Sequence, residues 1–203
     1  MKKQIMMVSV LFVALGTLNA QHDHGSYGQK EGSKMDHSKH EGMKMKDGQL
    51  TYDVSSDFKQ QLTEVYNASL ELTDSFIASE VKSVSTSGTK VKAALGKVDM
   101  GLLKSSEAHM DWMMNLKEMN TALDKIAASI DLKDQRAAYA SFSQALYKGL
   151  KAFGTTAGTV YYQHCPMALD NKGGYWLSNS KEIKNPYFGS TMLTCGSTKE
   201  TIN

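Results

Sequence analysis

The residues best suited to chemistry are two cysteines, each close to a methionine. His164-Cys165-Pro166-Met167 and Met192-Leu193-Thr194-Cys195 both lie in the C-terminal stretch, residues 155–203. Two thiolates and two thioethers brought onto one ion would make a soft, sulfur-rich site. Such a site suits Cu(I), and Ag(I) or another soft metal by the same rule, and needs no carboxylate. Pro166 fixes a backbone dihedral between the two ligands of the first pair, which lowers the entropy lost in holding them. The opposing reading is a Cys165–Cys195 disulfide, which would close a loop of about 30 residues and contribute roughly 3–4 kcal/mol. Bonded sulfurs are not thiolate ligands, so the two readings exclude each other in any one molecule.

Other candidate ligands lie nearby or upstream. His164 precedes Cys165 directly, and His109 and Met113 stand one helical turn apart, with Met110 and Met114 as a parallel pair. His109 and Met113 are expected on an apolar stripe, either packing there or completing the sulfur site. Residues 21–48 hold four of the six histidines, three methionines and five glycines, but no Val, Ile, Leu, Phe or Trp. That composition cannot bury a core, so a disordered tail is expected, and its imidazoles and thioethers favour metal capture over a plain linker. A catalytic role is not expected. No third residue orients a His164–Cys165 pair, and no C-x-x-C-H haem motif occurs.

These residues need a scaffold, and the periodicity supplies helices. Phe58, Leu62, Val65, Ser69, Leu72 and Phe76 form one seam, with Ser55 or Ser56 as cap. A second runs Val81, Val84, Gly88, Val91, Leu95, Val98, and its Ser-Thr-Ser-Gly at 85–88 marks a place for a break. The third, starting near Asp99 or Lys104, carries Leu102, His109, Met113, Leu116, Asn120, Leu123, Ala127 and Ile130. The fourth begins at Asp131, carries Tyr139, Phe142, Leu146, Gly149 and Phe153, and stops at Gly154. Short connections favour antiparallel neighbours, so the expectation is an all-α, up-down four-helix bundle with a mostly irregular C-terminal extension.

Lys2 and Lys3, the apolar run from Ile5 to Leu15 and Ala20 read as a secretory signal peptide over residues 1–20. The expected organisation is therefore signal 1–20, tail 21–48, and bundle with metal-site extension 49–203. Removing Lys2 and Lys3 with the signal leaves 21 basic residues against 21 acidic, which disfavours nucleic acid or an anionic membrane as partner. No later apolar run approaches membrane-spanning length, so the mature chain is expected to be exported and not membrane-embedded.

Assembled, these residues resemble a family of exported domains of unknown function, found alone or fused to the periplasmic adaptor subunits of copper/silver efflux systems. The resemblance spans residues 55–202. It rests on Phe58-Lys59-Gln60-Gln61-Leu62, Lys97-Val98-Asp99-Met100 and Glu107-Ala108-His109-Met110 followed by Trp112-Met113. Above all it rests on Tyr161-Tyr162-Gln163-His164-Cys165-Pro166-Met167-Ala168, Asn171-Lys172-Gly173-Gly174-Tyr175-Trp176-Leu177-Ser178, Ile183-Lys184-Asn185-Pro186-Tyr187-Phe188-Gly189, and Met192 to Gly196. Cys165-Pro166-Met167 is also similar, in part, to the short Y-x-C-P-M modules of heavy-metal efflux proteins. The resemblance implies a periplasmic Cu(I) or Ag(I) binding protein for buffering or hand-over, with an efflux adaptor as recipient and no turnover. The expected ligands are Cys165, Met167, Met192 and Cys195, then His109, His164 and Met113. The alternative is a disulfide-stapled structural or interaction domain without metal.

Overall fold

The computed structural model describes residues 43–46 and 49–203, so the expected signal peptide and the tail up to residue 42 lie outside the described residues. Four long helices dominate: α1 (Ser56–Ala78), α2 (Val81–Leu95), α3 (Ser106–Ala128) and α4 (Leu132–Phe153), each packed on the next. In α1 the expected seam is buried throughout. The Ser55 hydroxyl caps the helix by accepting from the Phe58 amide at 3.3 Å, and Asp57 adds negative charge in the first turn. In α4, Asp131 accepts from the Lys133 amide at 2.7 Å, and Gly154 ends the helix with φ 79°, where a side chain would be strained.

α2 runs unbroken through 85–88, the stretch marked as a place for a break, as the seam requires. Its small residues serve packing. Gly88 lets α3 approach so closely that a Cβ there would lie 3.3 Å from Ile126 Cγ2, while Ser87 bonds Ser75 of α1 at 2.8 Å and Ser85 accepts from the Gln135 amide group at 3.1 Å. The intrinsic cost of a helical glycine, about 1 kcal/mol, is offset by this close contact.

α3 differs in start and in phase. It begins at Ser106, capped by Ser105, and a 3₁₀ turn at Met100–Leu102 precedes it. The buried positions are Ala108, Trp112, Met119, Ala122, Leu123 and Ile126, so His109, Met113 and Ala127 are exposed and Ile130 is 92 % exposed. Trp112 sets the phase, meeting Phe58 edge-on at 5.2 Å and Phe153 at 5.6 Å between ring centroids. A large ring filling the centre outweighs an imidazole and several flexible thioethers for the inward position.

The C-terminal extension is not mostly irregular, and the chain is not all-α. Strands β3 (Val160–Cys165), β4 (Gly174–Ser178) and β5 (Ser197–Ile202) form an antiparallel sheet in the order β4-β3-β5, with a bulge between Tyr162 and Gln163. (The first two strands, β1 at Met43–Lys46 and β2 at Gln49–Tyr52, pair antiparallel with Met43 opposite Tyr52.) β1 thus extends regular structure into the last residues of the segment read as tail, where Met-Lys-Met-Lys alternates with the period of a strand. The sheet joins the helical core through Tyr187 against Tyr139, centroids 5.8 Å apart, and through β4 packed on α4.

Candidate soft-metal centre

β3 is the central strand, paired on both sides, and ends in Cys165, which is wholly buried. Its last three residues pair with Gly174, Tyr175 and Trp176 of β4. Cys195 arrives from the other direction, on a turn that leads into β5. A 3₁₀ turn at Gly189–Met192 precedes it, and the Cys195 amide bonds the Met192 carbonyl at 3.1 Å.

Asn185, itself fully buried, fixes that turn. Its amide group donates to the Cys195 carbonyl at 2.8 Å, its backbone N–H donates to the Leu193 carbonyl at 2.8 Å, and its side-chain oxygen accepts from the Tyr187 amide at 2.8 Å. Arg136 of α4 anchors the next residue by donating to the Pro186 carbonyl at 2.9 Å. Sequence reasoning did not single out Asn185. Its only local signal is the Asn-Pro pair, which marks a turn and not a clamp.

The outcome of this framework is a thiol pair. Cys165 Sγ and Cys195 Sγ lie 2.8 Å apart, both as free cysteines. Their mutual hydrogen bond, and then burial, raise the Cys195 thiol above its ordinary value, which favours the protonated form at neutral pH. A soft cation would displace protons on binding, so its affinity rises with pH.

Met167 follows Pro166 and is exposed, while Met192 is half-buried at the end of the 3₁₀ turn. Between Met167 and β4 the backbone is left-handed at Leu169, Asp170 and Asn171, with φ of 55°, 57° and 66°, before Gly173 at 85°. Three successive non-glycine residues in this region cost about 1 kcal/mol or more each, and such strain gathers at functional loops.

His164 lies beside the thiols in sequence but alternates to the other face of β3. Its ring tilts against Tyr175 at 4.1 Å, extending a stacked column of Tyr147, Tyr162 and Tyr175. Its Nδ1 is buried without a hydrogen-bond partner, and burial, followed by the nearby Lys199, lowers its proton affinity. The ring is therefore neutral at pH 7. At the far end of the column, Tyr147 and Lys151 both bond the Glu200 carboxylate. Burial alone would raise that carboxyl, but the hydrogen bonds from Lys151 and Tyr147 outweigh it and hold it below the usual range.

His109 and Met113 stand on the exposed side of α3. Among the described residues no group of three or more His, Cys, Asp and Glu side chains is placed to hold a metal ion. Met192 and Met167 are the thioethers closest to Cys165 and Cys195 along the chain. A groove lies elsewhere, between α3 and α4, and is lined by Met114, Lys117, Lys125, Ala138 and Lys148 among others.

With this geometry in view, the helical region is similar to one known family model. A domain described as Protein of unknown function (DUF3347) is found at residues 65–158. The match runs from within α1 through α4 and stops two residues before β3, so it covers the scaffold and not the thiol pair. No curated protein and no solved structure matches the chain. No helix among the described residues is long and apolar enough to cross a membrane.

Proposed function

We propose that the C-terminal unit, in its reduced state, binds Cu(I) or Ag(I) in the periplasm for buffering or hand-over to an efflux system, without turnover. One observation carries the reading: the fold brings together two cysteine sulfurs 30 residues apart in sequence, to 2.8 Å. Cys165 sits on a rigid central strand and Cys195 on a turn, so the pair can open to admit an ion by moving the turn alone. Met192 on that turn and Met167 beyond Pro166 supply thioethers that widen coordination without added charge. The four helices, arranged up and down, act as scaffold, and the signal peptide accounts for export. The histidines and methionines of residues 21–48 raise the local ion concentration on a tether.

The test is an anaerobic Cu(I) titration of residues 21–203 against a chromogenic chelator, with Cys165→Ser beside it. Tight binding that requires reduced thiols and vanishes in the variant supports the reading. Equal competition by both proteins overturns it.

The same sulfur contact favours a second reading, a Cys165–Cys195 disulfide stapling an interaction domain. Sulfurs in contact need only a small shift to reach bonding distance. A thiol count of zero before reduction, with copper uptake confined to residues 21–48, selects this second reading.

A further inference from the structure

The methionines of α3 divide into two kinds. Met119 is wholly buried and fills the core, the ordinary use of this side chain. Met110, Met113 and Met114 are 59 %, 42 % and 60 % exposed and bury little that leucine or lysine would not. They share two helical turns with His109, which is also exposed. His109 and Met113 are four residues apart, as are Met110 and Met114, and Met110 and Met113 are three apart. Residues at those spacings are neighbours on a helix surface, about 5–6 Å between Cβ atoms. Met113 is the shared neighbour, one turn from both His109 and Met110.

The two residues inside this quartet hold the helix in place. Trp112 is locked in the core between Phe58 and Phe153, and Asp111 accepts a 2.5 Å hydrogen bond from the Tyr52 hydroxyl of β2. The rotation of α3 is thereby fixed at this turn. The same contact brings in a second element. Met43 of β1 pairs with Tyr52, and directly paired antiparallel residues have Cα atoms about 4.5–5.5 Å apart. The strand that ends the His/Met-rich segment is therefore stitched, through Tyr52, to the turn of α3 that carries the quartet.

We infer that His109, Met110, Met113 and Met114 form a second soft-cation site on α3, which takes Cu(I) or Ag(I) independently of Cys165 and Cys195. Thioether and neutral imidazole ligands suit these ions. They carry no charge and cannot be consumed by disulfide formation. The site therefore holds ions while the cysteine pair is oxidised.

The test uses residues 21–203 with 13C-labelled methionine ε-methyl groups, titrated with silver nitrate past the equivalents taken up by the thiols. Met167 and Met192 report on the thiol centre, while Met110, Met113 and Met114 report on α3, so either site can fail without the other. The expected result is a joint shift of the three α3 methyl signals together with the His109 ring protons. Met113→Leu, conservative at an exposed position, should weaken that transition by about tenfold or more. Met110→Leu with Met114→Leu gives a second route should that variant misfold. Shifts confined to Met35, Met43, Met45, Met167 and Met192 would overturn the inference, as would an unchanged titration in folded leucine variants.

Discussion

The helical layer and the C-terminal sheet are built on opposite economies of information. Each helix repeats one instruction, an apolar residue every three or four positions, so stability is spread over many equivalent contacts. The sheet region depends on single residues without substitutes: one asparagine that orders a turn, one left-handed stretch that steers β4 into register, one pair of sulfurs. Broad redundancy suits a scaffold. Singular placement suits a site, where a displacement of an ångström changes what the groups can do.

The comparison is broken most directly at the exception within the helices. Trp112→Ala should cost about 3–5 kcal/mol, because the ring joins α1, α3 and α4 at one point, and urea unfolding would show it as a large fall in midpoint with unchanged slope. A loss below about 1 kcal/mol would mean that even this point is redundant.

Asn185→Ala should cost less overall, about 2–3 kcal/mol, by leaving the half-buried Cys195 carbonyl and the buried Tyr187 amide unpaired. Its distinctive effect is local. Hydrogen exchange should rise over residues 185–196 and leave α1 to α4 protected, whereas uniform loosening would contradict the division into two regions.

A pH series gives a smaller effect. His164 binds its proton less readily when folded than when unfolded, so the unfolded state takes up more protons in that range. Stability should be fully present above the ordinary histidine value of about 6.5 and decline as pH falls below it. His164→Gln should flatten that decline, and an equal slope in both proteins would place its origin elsewhere.

Smallest of all is Ile130→Gln, expected to change stability by less than about 0.5 kcal/mol because the side chain lies in water. A loss of several kcal/mol would restore the seam that periodicity alone suggests for α3.

The sequence made the helices legible where two signals agree. In α1 and α4 the apolar spacing is bounded by Ser55, Asp131 and Gly154, so period and caps point to one answer. α3 misled by one position because His109, Met113 and Ile130 match the period as well as Trp112 does, and periodicity does not weigh residues by the volume they must hide. β3 escaped notice because Val160, Tyr162, Gln163 and Cys165 are all buried, which erases the alternation a one-sided strand displays. Of the site, the two cysteines were legible as chemistry. Both readings, shared ion and disulfide, already bring these sulfurs together, and they lie 2.8 Å apart; the clamp that holds the turn of Cys195, Asn185 ten residues away, was not legible. His109 and Met113, grouped with the thiols by ligand type, stand on an exposed helical face instead.

On the proposed hand-over, one difference between the two cysteines would also set an order of events. Cys165 ends a strand hydrogen-bonded on both edges, whereas Cys195 rides on a turn of a few residues and is partly open to solvent. Motions of such turns run far faster than the opening of a central strand. An acceptor approaching a loaded pair would therefore meet Cys195 first, exchange ligands there, and take the ion from Cys165 last. Departure would be stepwise, so the occupancy lifetime would follow the pace of a loop and not the unfolding of the protein.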